Sequence, residues 1–242
     1  AAAEALATQD LAALAARPDD PVATIACQAL DLNVQISQLL GAEHEYAAVT
    51  DLRQIIRSCP SLAASATNTL AKIAYNRGEQ LRKSMADSST AGAPRSESLA
   101  LGVSAVSSYH EALRSDSVSL AAYRGLGAAQ LALAALEPGK AAEHFGAARD
   151  AFDAAQKISA STPDDAHAED LEQLGVSYLS LAGAKRPVDA LEQESLIGAA
   201  IRALVKSTSL APTYDRQMIL GEAYELAGRY TEAEDIYRSA LA

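Results

Sequence analysis

Two cysteines, four histidines and a few adjacent carboxylates are the residues of this 242-residue chain whose types and spacing could do chemistry. Cys27 and Cys59 flank a breaker at Gly41 to Glu43, standing 15 residues before and 17 after Ala42. With that breaker as the turn of an antiparallel helical hairpin, the two sulfurs come level at its open end, where a disulfide would clip the helices together. Two separate buried thiols are the other reading, since free cysteine is a common core residue. His44, His110, His144 and His167 are scattered, with no His-Glu-x-x-His or other ligand spacing, so each is expected to be solvated or locally paired. There is no phosphate-binding Gly-rich loop and no Gly-x-Ser-x-Gly elbow, and Asp164-Asp165 and Glu192 with Glu194 read as turn and surface residues. The expectation is a chain without catalytic residues, metal or cofactor, and so not an enzyme.

The elements that hold these residues are helices. Hydrophobic residues make up 49% of the chain but aromatics only 5%, with no Trp, and Ala appears in nearly every segment. Ala is the best helix former and lets helices approach closely. Breakers cluster at Pro18 to Pro21, Gly41 to Glu43, Cys59 to Ser61, Ser115 to Ser119, Ser161 to Asp165, Ala182 to Pro187 and Ala211 to Thr213. Between them apolar residues recur at helical spacing, as in Leu126, Ala129, Gln130, Leu133 and Leu136, or Leu171, Leu174, Tyr178 and Leu181. No stretch alternates as a strand does. Asp20 before Pro21 reads as a helix start, and Thr231 with Glu234 as a capping box. The small, polar run from Ser84 to Ser98 reads as a mobile loop. A net charge of −11 excludes general affinity for nucleic acid or anionic membrane surfaces, and no run approaches the ~18 apolar residues of a membrane span.

The end of the chain carries a repeat. Leu220-Gly221, Tyr224, Gly228, Tyr230, Ala233, Tyr237, Ala240 and Leu241 stand at spacings that resemble a tetratricopeptide repeat. Earlier copies follow: Tyr123, Leu126 and Gly127, then Leu171, Leu174, Gly175 and Tyr178, repeat the first-helix pattern. Ala48, Leu52 and Pro60, and Ala200, Leu204 and Pro212, repeat the second, as do Ala105 with Tyr109 and Ala112, and Ala148 with Phe152 and Ala155. Leu70, Ala71, Ala74 and Gly78 form a weaker first helix. Gly127 to Gly175 is 48 residues and Gly175 to Gly221 is 46, against about 34 in the family, so extra residues must lengthen the helices or loops of the middle hairpins. The expected architecture is all-α, an α-solenoid of stacked antiparallel helical hairpins in one domain. An N-terminal helix over 2–16 precedes hairpins over 21–59, 61–114, 118–159, 165–209 and 213–242.

The resemblance implies a concave groove, lined by the first helices of successive hairpins, that receives a protein or peptide. Its expected lining is Asn68, Lys72, Tyr75 and Asn76, then Arg124, Ala128 and Leu131, then Glu169, Glu172, Val176 and Leu179, then Asp215, Met218, Glu222 and Glu225. Asn68, Lys72 and Asn76 with Arg124 would form a cationic patch, similar to clamps for a peptide's terminal carboxylate. The acidic residues further on would favour a basic partner segment. Ile236, Ala240 and Leu241 make the last hairpin's outer face apolar, an expected site for a partner or a second copy. A disulfide and an Ala1 start, read as the result of processing, would place the chain in a bacterial periplasm or outside the cell, with the cytoplasm as the alternative. The functional expectation is an envelope adaptor; a self-associating scaffold and the regulatory arm of a longer enzyme are the alternatives.

Overall fold

A computed structural model describes residues 23–161, 165–184 and 189–241. Ten α-helices follow one another among the described residues: α1 (Ala23–Leu40), α2 (Glu45–Ser58), α3 (Ala63–Thr90), α4 (Arg95–Ser115), α5 (Leu120–Leu136), α6 (Ala141–Ser159), α7 (Asp165–Ala184), α8 (Ala190–Leu210), α9 (Tyr214–Leu226) and α10 (Tyr230–Ala240). Single 3-10 turns, Ala42–His44 and Pro138–Lys140, join α1 to α2 and α5 to α6. The fold is all-α, built of antiparallel helical hairpins stacked in the tetratricopeptide manner. The helix over 2–16 and the start at Asp20 and Pro21 lie outside the described residues.

The chain divides into two compact units, residues 1–74 with 111–117, and residues 75–110 with 118–242. The core of the first is the α1–α2 hairpin. Leu30, Val34, Leu52 and Ile55 interdigitate there with Leu70 of α3, all buried. Cys27 in α1 and Cys59, just past α2, stand at the hairpin's open end with Cα atoms 5.8 Å apart and their sulfurs at bonding distance.

In the second unit each helix from α5 to α10 packs on its sequence neighbours. The expected repeat positions acquire a steric meaning here. A Cβ placed on Gly127 would sit 2.6 Å from the Phe152 ring, and one on Gly175 would sit 2.6 Å from Leu204. One on Gly221 would run into the Tyr237 ring, and one on Gly78 would lie 2.8 Å from Tyr109. In each of these four hairpins a glycine of the first helix therefore faces the bulky residue four places after the small Ala of the second: Ala148, Ala200, Ala233 and Ala105, all buried. The missing side chain lets the backbones close on that bulky residue, which fills the crossing.

Two local expectations need correction. The run from Ser84 to Ser98 is not a loop: α3 continues through Thr90 and α4 begins at Arg95. Met85 is buried beside Gly102 of α4, so one face of this polar segment is anchored on the neighbouring helix and the segment stays helical. In the middle hairpins the helices themselves are long, 19 residues in α6, 20 in α7 and 21 in α8 against 13 in α9. Thr231 does not cap α10, which begins at Tyr230 with Arg229 before it, and Glu234 instead accepts from Arg238 at 2.6 Å. A left-handed Gly228, φ 72°, ends the preceding turn and sets the helix start ahead of Thr231. Caps are supplied elsewhere by Ser119, Asp189 and Thr213, each accepting backbone N–H groups of the first turn it precedes.

Candidate functional site

Within the second unit, first helices of successive hairpins line one open cleft of about 440 Å³. Helix α3 contributes Tyr75, Glu79 and Arg82, α5 contributes Ala121, Arg124, Gly125 and Ala128, and α7 contributes Glu169, Asp170 and Gln173, with Phe152 of α6 beneath. Cβ atoms on a helix three and four residues apart share a face, which is why these positions recur at i, i+3 and i+4 on each contributing helix.

One wall is a tyrosine–carboxylate–guanidinium chain. Tyr109, fully buried between Gly78 and Gly125, donates its hydroxyl to Glu79 Oε1 at 2.5 Å. Glu79 Oε2 accepts from Arg82 Nη2 at 2.8 Å. Burial works to raise the Glu79 carboxyl, but the hydrogen bonds from Arg82 and Tyr109 outweigh it and hold the group below the usual carboxylate range. Burial, then the hydrogen bond to Glu79 and its charge, push the Tyr109 phenol up. The same contact with Glu79 raises Arg82 further. Tyr75 stacks at a tilt over Tyr109, ring centroids 6.2 Å apart, so its half-buried ring forms part of the cleft surface.

The opposite wall is tied across two hairpins. Arg124 donates to Asp170 Oδ1 at 2.6 Å and Oδ2 at 2.9 Å, and to the Ala166 carbonyl at 3.1 Å. Asp170 is buried and also accepts from the Ser159 hydroxyl at 2.7 Å, which lies 2.9 Å from His167 Nδ1. Ser159, His167 and Asp170 are all buried and hydrogen-bonded together, a satisfied network that fixes α6 to α7. In this arrangement the serine hydroxyl donates to the carboxylate, so it is held as a structural bridge.

The expected lining divides accordingly. Tyr75, Arg124, Ala128 and Glu169 meet in the cleft. Asn76 is exposed on α3 outside that lining. Asn68 and Lys72 are exposed in the first unit. Leu131 and Leu179 are half-buried and pack into the cores around Phe152 and Leu204, so they stabilise the stack. Val176 and Met218 are half-buried on their helices, while Asp215, Glu222 and Glu225 are exposed on α9. Glu172 is committed to Arg216, accepting from its Nε at 2.7 Å, and Arg216 also donates to the Ala211 carbonyl. Among the histidines, His144 pairs with Gln130 and Glu137, and His167 with Ser159.

Sequence reasoning missed Glu79, Arg82, Asp170 and Gln173. Glu79 and Arg82 carried a signal, an acid and a base three apart on the helix turn after Tyr75. Asp170 carried none, because its role depends on the register between hairpins 46 residues apart.

No protein-family model matches the sequence, and no curated protein matches it. Solved structures of MamA do. One, MamA residues 41 to the end from Desulfovibrio magneticus RS-1, aligns over 88% of this chain and 93% of its own at 16% identity, with a TM-score of 0.50. Another MamA structure aligns over 88% and 90% at 19% identity and a TM-score of 0.48. The chain shares a tetratricopeptide-like helical-repeat fold with the first. At this identity the likeness concerns the fold and reaches no individual site residue.

Proposed function

We propose that this chain is a non-catalytic protein-interaction module that holds an extended, basic protein segment in the cleft of its second unit. The observation that supports the reading is a division of charge along the first helices. Arg82, Arg124 and Arg216 are each tied to a carboxylate of the protein itself, Glu79, Asp170 and Glu172. Glu169, Glu222 and Glu225 stand exposed. A guanidinium already paired with a carboxylate offers little to an incoming one, whereas exposed carboxylates attract lysine and arginine. This reading favours the basic partner over the carboxylate clamp centred on Lys72 and Arg124.

The proposed compartment is an oxidising one, periplasmic or secreted, and the support is the cysteine pair at disulfide distance. No helix among the described residues is long and apolar enough to cross a membrane.

The test uses peptides selected on the whole chain from a random library, with affinities measured on three proteins. Glu169→Lys should weaken the selected peptides at least about tenfold. Glu97→Lys, an equal charge change on an exposed position of α4 outside the cleft lining, should change them less than about threefold. Equal losses in the two variants would show that net charge alone does the binding and would remove the cleft from the proposal.

A further inference from the structure

Helix α1 has two apolar faces. One, with Cys27, Leu30 and Val34, is buried in the first unit's core. The other points to solvent: Ile25 is 64% exposed, Leu32 55%, Ile36 46% and Leu39 87%. With half-buried Ala29 these residues stand at intervals of four, three, four and three, the a/d spacing of a two-heptad coiled-coil seam. The positions beside the seam are Gln28, Asn33, Gln35 and Leu40, none charged. The helix carries a single charge, Asp31, whose carboxylate accepts from Gln35 at 2.8 Å. An ordinary surface helix places charges on its solvent face; this one places leucine and isoleucine there, flanked by amides.

We propose that α1 pairs with α1 of a second copy of this chain, seam to seam about a two-fold axis. Three observations select a second copy as the occupant. The a/d spacing is self-complementary, so an identical helix supplies the matching knobs. The uncharged flanks set no like charges against each other, although the chain as a whole carries −11. The exposed part of Ile25, Leu32, Ile36, Leu39 and Leu40 amounts to roughly 600 Å², so a pair that covered all of it would bury at most about 1,200 Å², the lower bound of stable interfaces. The pairing uses a different surface from the cleft and does not depend on the peptide-binding reading.

Sedimentation equilibrium of the full chain tests it. The wild-type chain should pass from 25.2 kDa to twice that mass over two decades of concentration starting near about 1 μM, and added salt should leave the dimer intact. Leu32→Glu with Ile36→Glu should shift the dissociation midpoint upward by more than about tenfold while circular dichroism stays helical. Leu32→Gln should act in the same direction with smaller amplitude, and it decides the matter if the glutamate variant unfolds. Leu241→Glu, at the exposed C-terminal end, should leave the midpoint unchanged. A wild-type monomer at every concentration, or a dimer abolished by Leu241→Glu and untouched by the α1 variants, overturns the pairing.

Discussion

Alanine at Gly127 and alanine at Gly146 should move stability in opposite directions, although both glycines lie inside helices. Replacing glycine by alanine within a helix contributes about 1 kcal/mol through backbone entropy. At Gly146 in α6 nothing stands within 4 Å of the new methyl group, so the whole gain should be realised. For a chain of this size that raises Tm by about 2–4 °C. At Gly127 in α5 the methyl would lie 2.6 Å from Cε2 and Cζ of Phe152. That ring is 3% exposed and packed among Ala148, Leu174 and Ala203, so moving it away from the new methyl disturbs those contacts. Overpacking of this kind costs about 1–3 kcal/mol, leaving a net effect from near zero to about 2 kcal/mol destabilising. The two variants should therefore differ by about 1–3 kcal/mol in urea denaturation. In a Phe152→Leu background the Gly127→Ala penalty should shrink, because the shorter side chain vacates the crossing, and a double-mutant cycle reads that coupling directly. If Gly127→Ala stabilises as much as Gly146→Ala, the account of the repeat glycines as contact points for the facing helix is wrong.

Two further predictions concern the first unit. With the sulfurs bonded, reduction of Cys27–Cys59, which closes a span of 32 residues, should cost roughly 3–4 kcal/mol, read as a lower urea midpoint with reductant; superimposable curves would show that the pair is not bonded in the starting material. Burial raises the Asp51 carboxyl above its ordinary value of 3.8, so the folded state holds the proton more tightly than the unfolded state does. The Asp51 contribution to stability is therefore present below pH 3.8 and lost as pH rises through the raised folded value. Asp51→Asn should flatten that part of the pH–stability curve relative to the wild-type chain, and an unchanged slope would refute the assignment.

Much of the local design is legible in the sequence because it is written in short-range pattern. Leu-Gly pairs followed one helix later, in the same hairpin, by Ala and a bulky residue at i+4 mark both helices of a crossing, since small and large side chains must alternate for backbones to approach. Cys27 and Cys59 could be brought level from their distances to the turn alone, because an α-helix advances a constant rise per residue. Patterns of this kind decide that the chain is helical, that its helices pair antiparallel, and which positions meet inside a pair.

The tertiary structure alone decided how side chains pair across neighbouring helices, within a hairpin and between hairpins. Arg124 reads as a free cation in sequence, yet Asp170 of the next hairpin neutralises it, and Glu172 is neutralised by Arg216 in the same way. Tyr109 reads as a core aromatic, but its hydroxyl organises Glu79 and Arg82 in the cleft wall. The polar run after Ser84 is drawn into α3 by a buried Met85, a packing effect that local composition argues against. The physical reason is common to all three. Periodicity specifies which face of a helix turns inward, whereas the partners a side chain finds on a neighbouring helix depend on helix length and offset, and here those lengths depart from the repeat of about 34 residues.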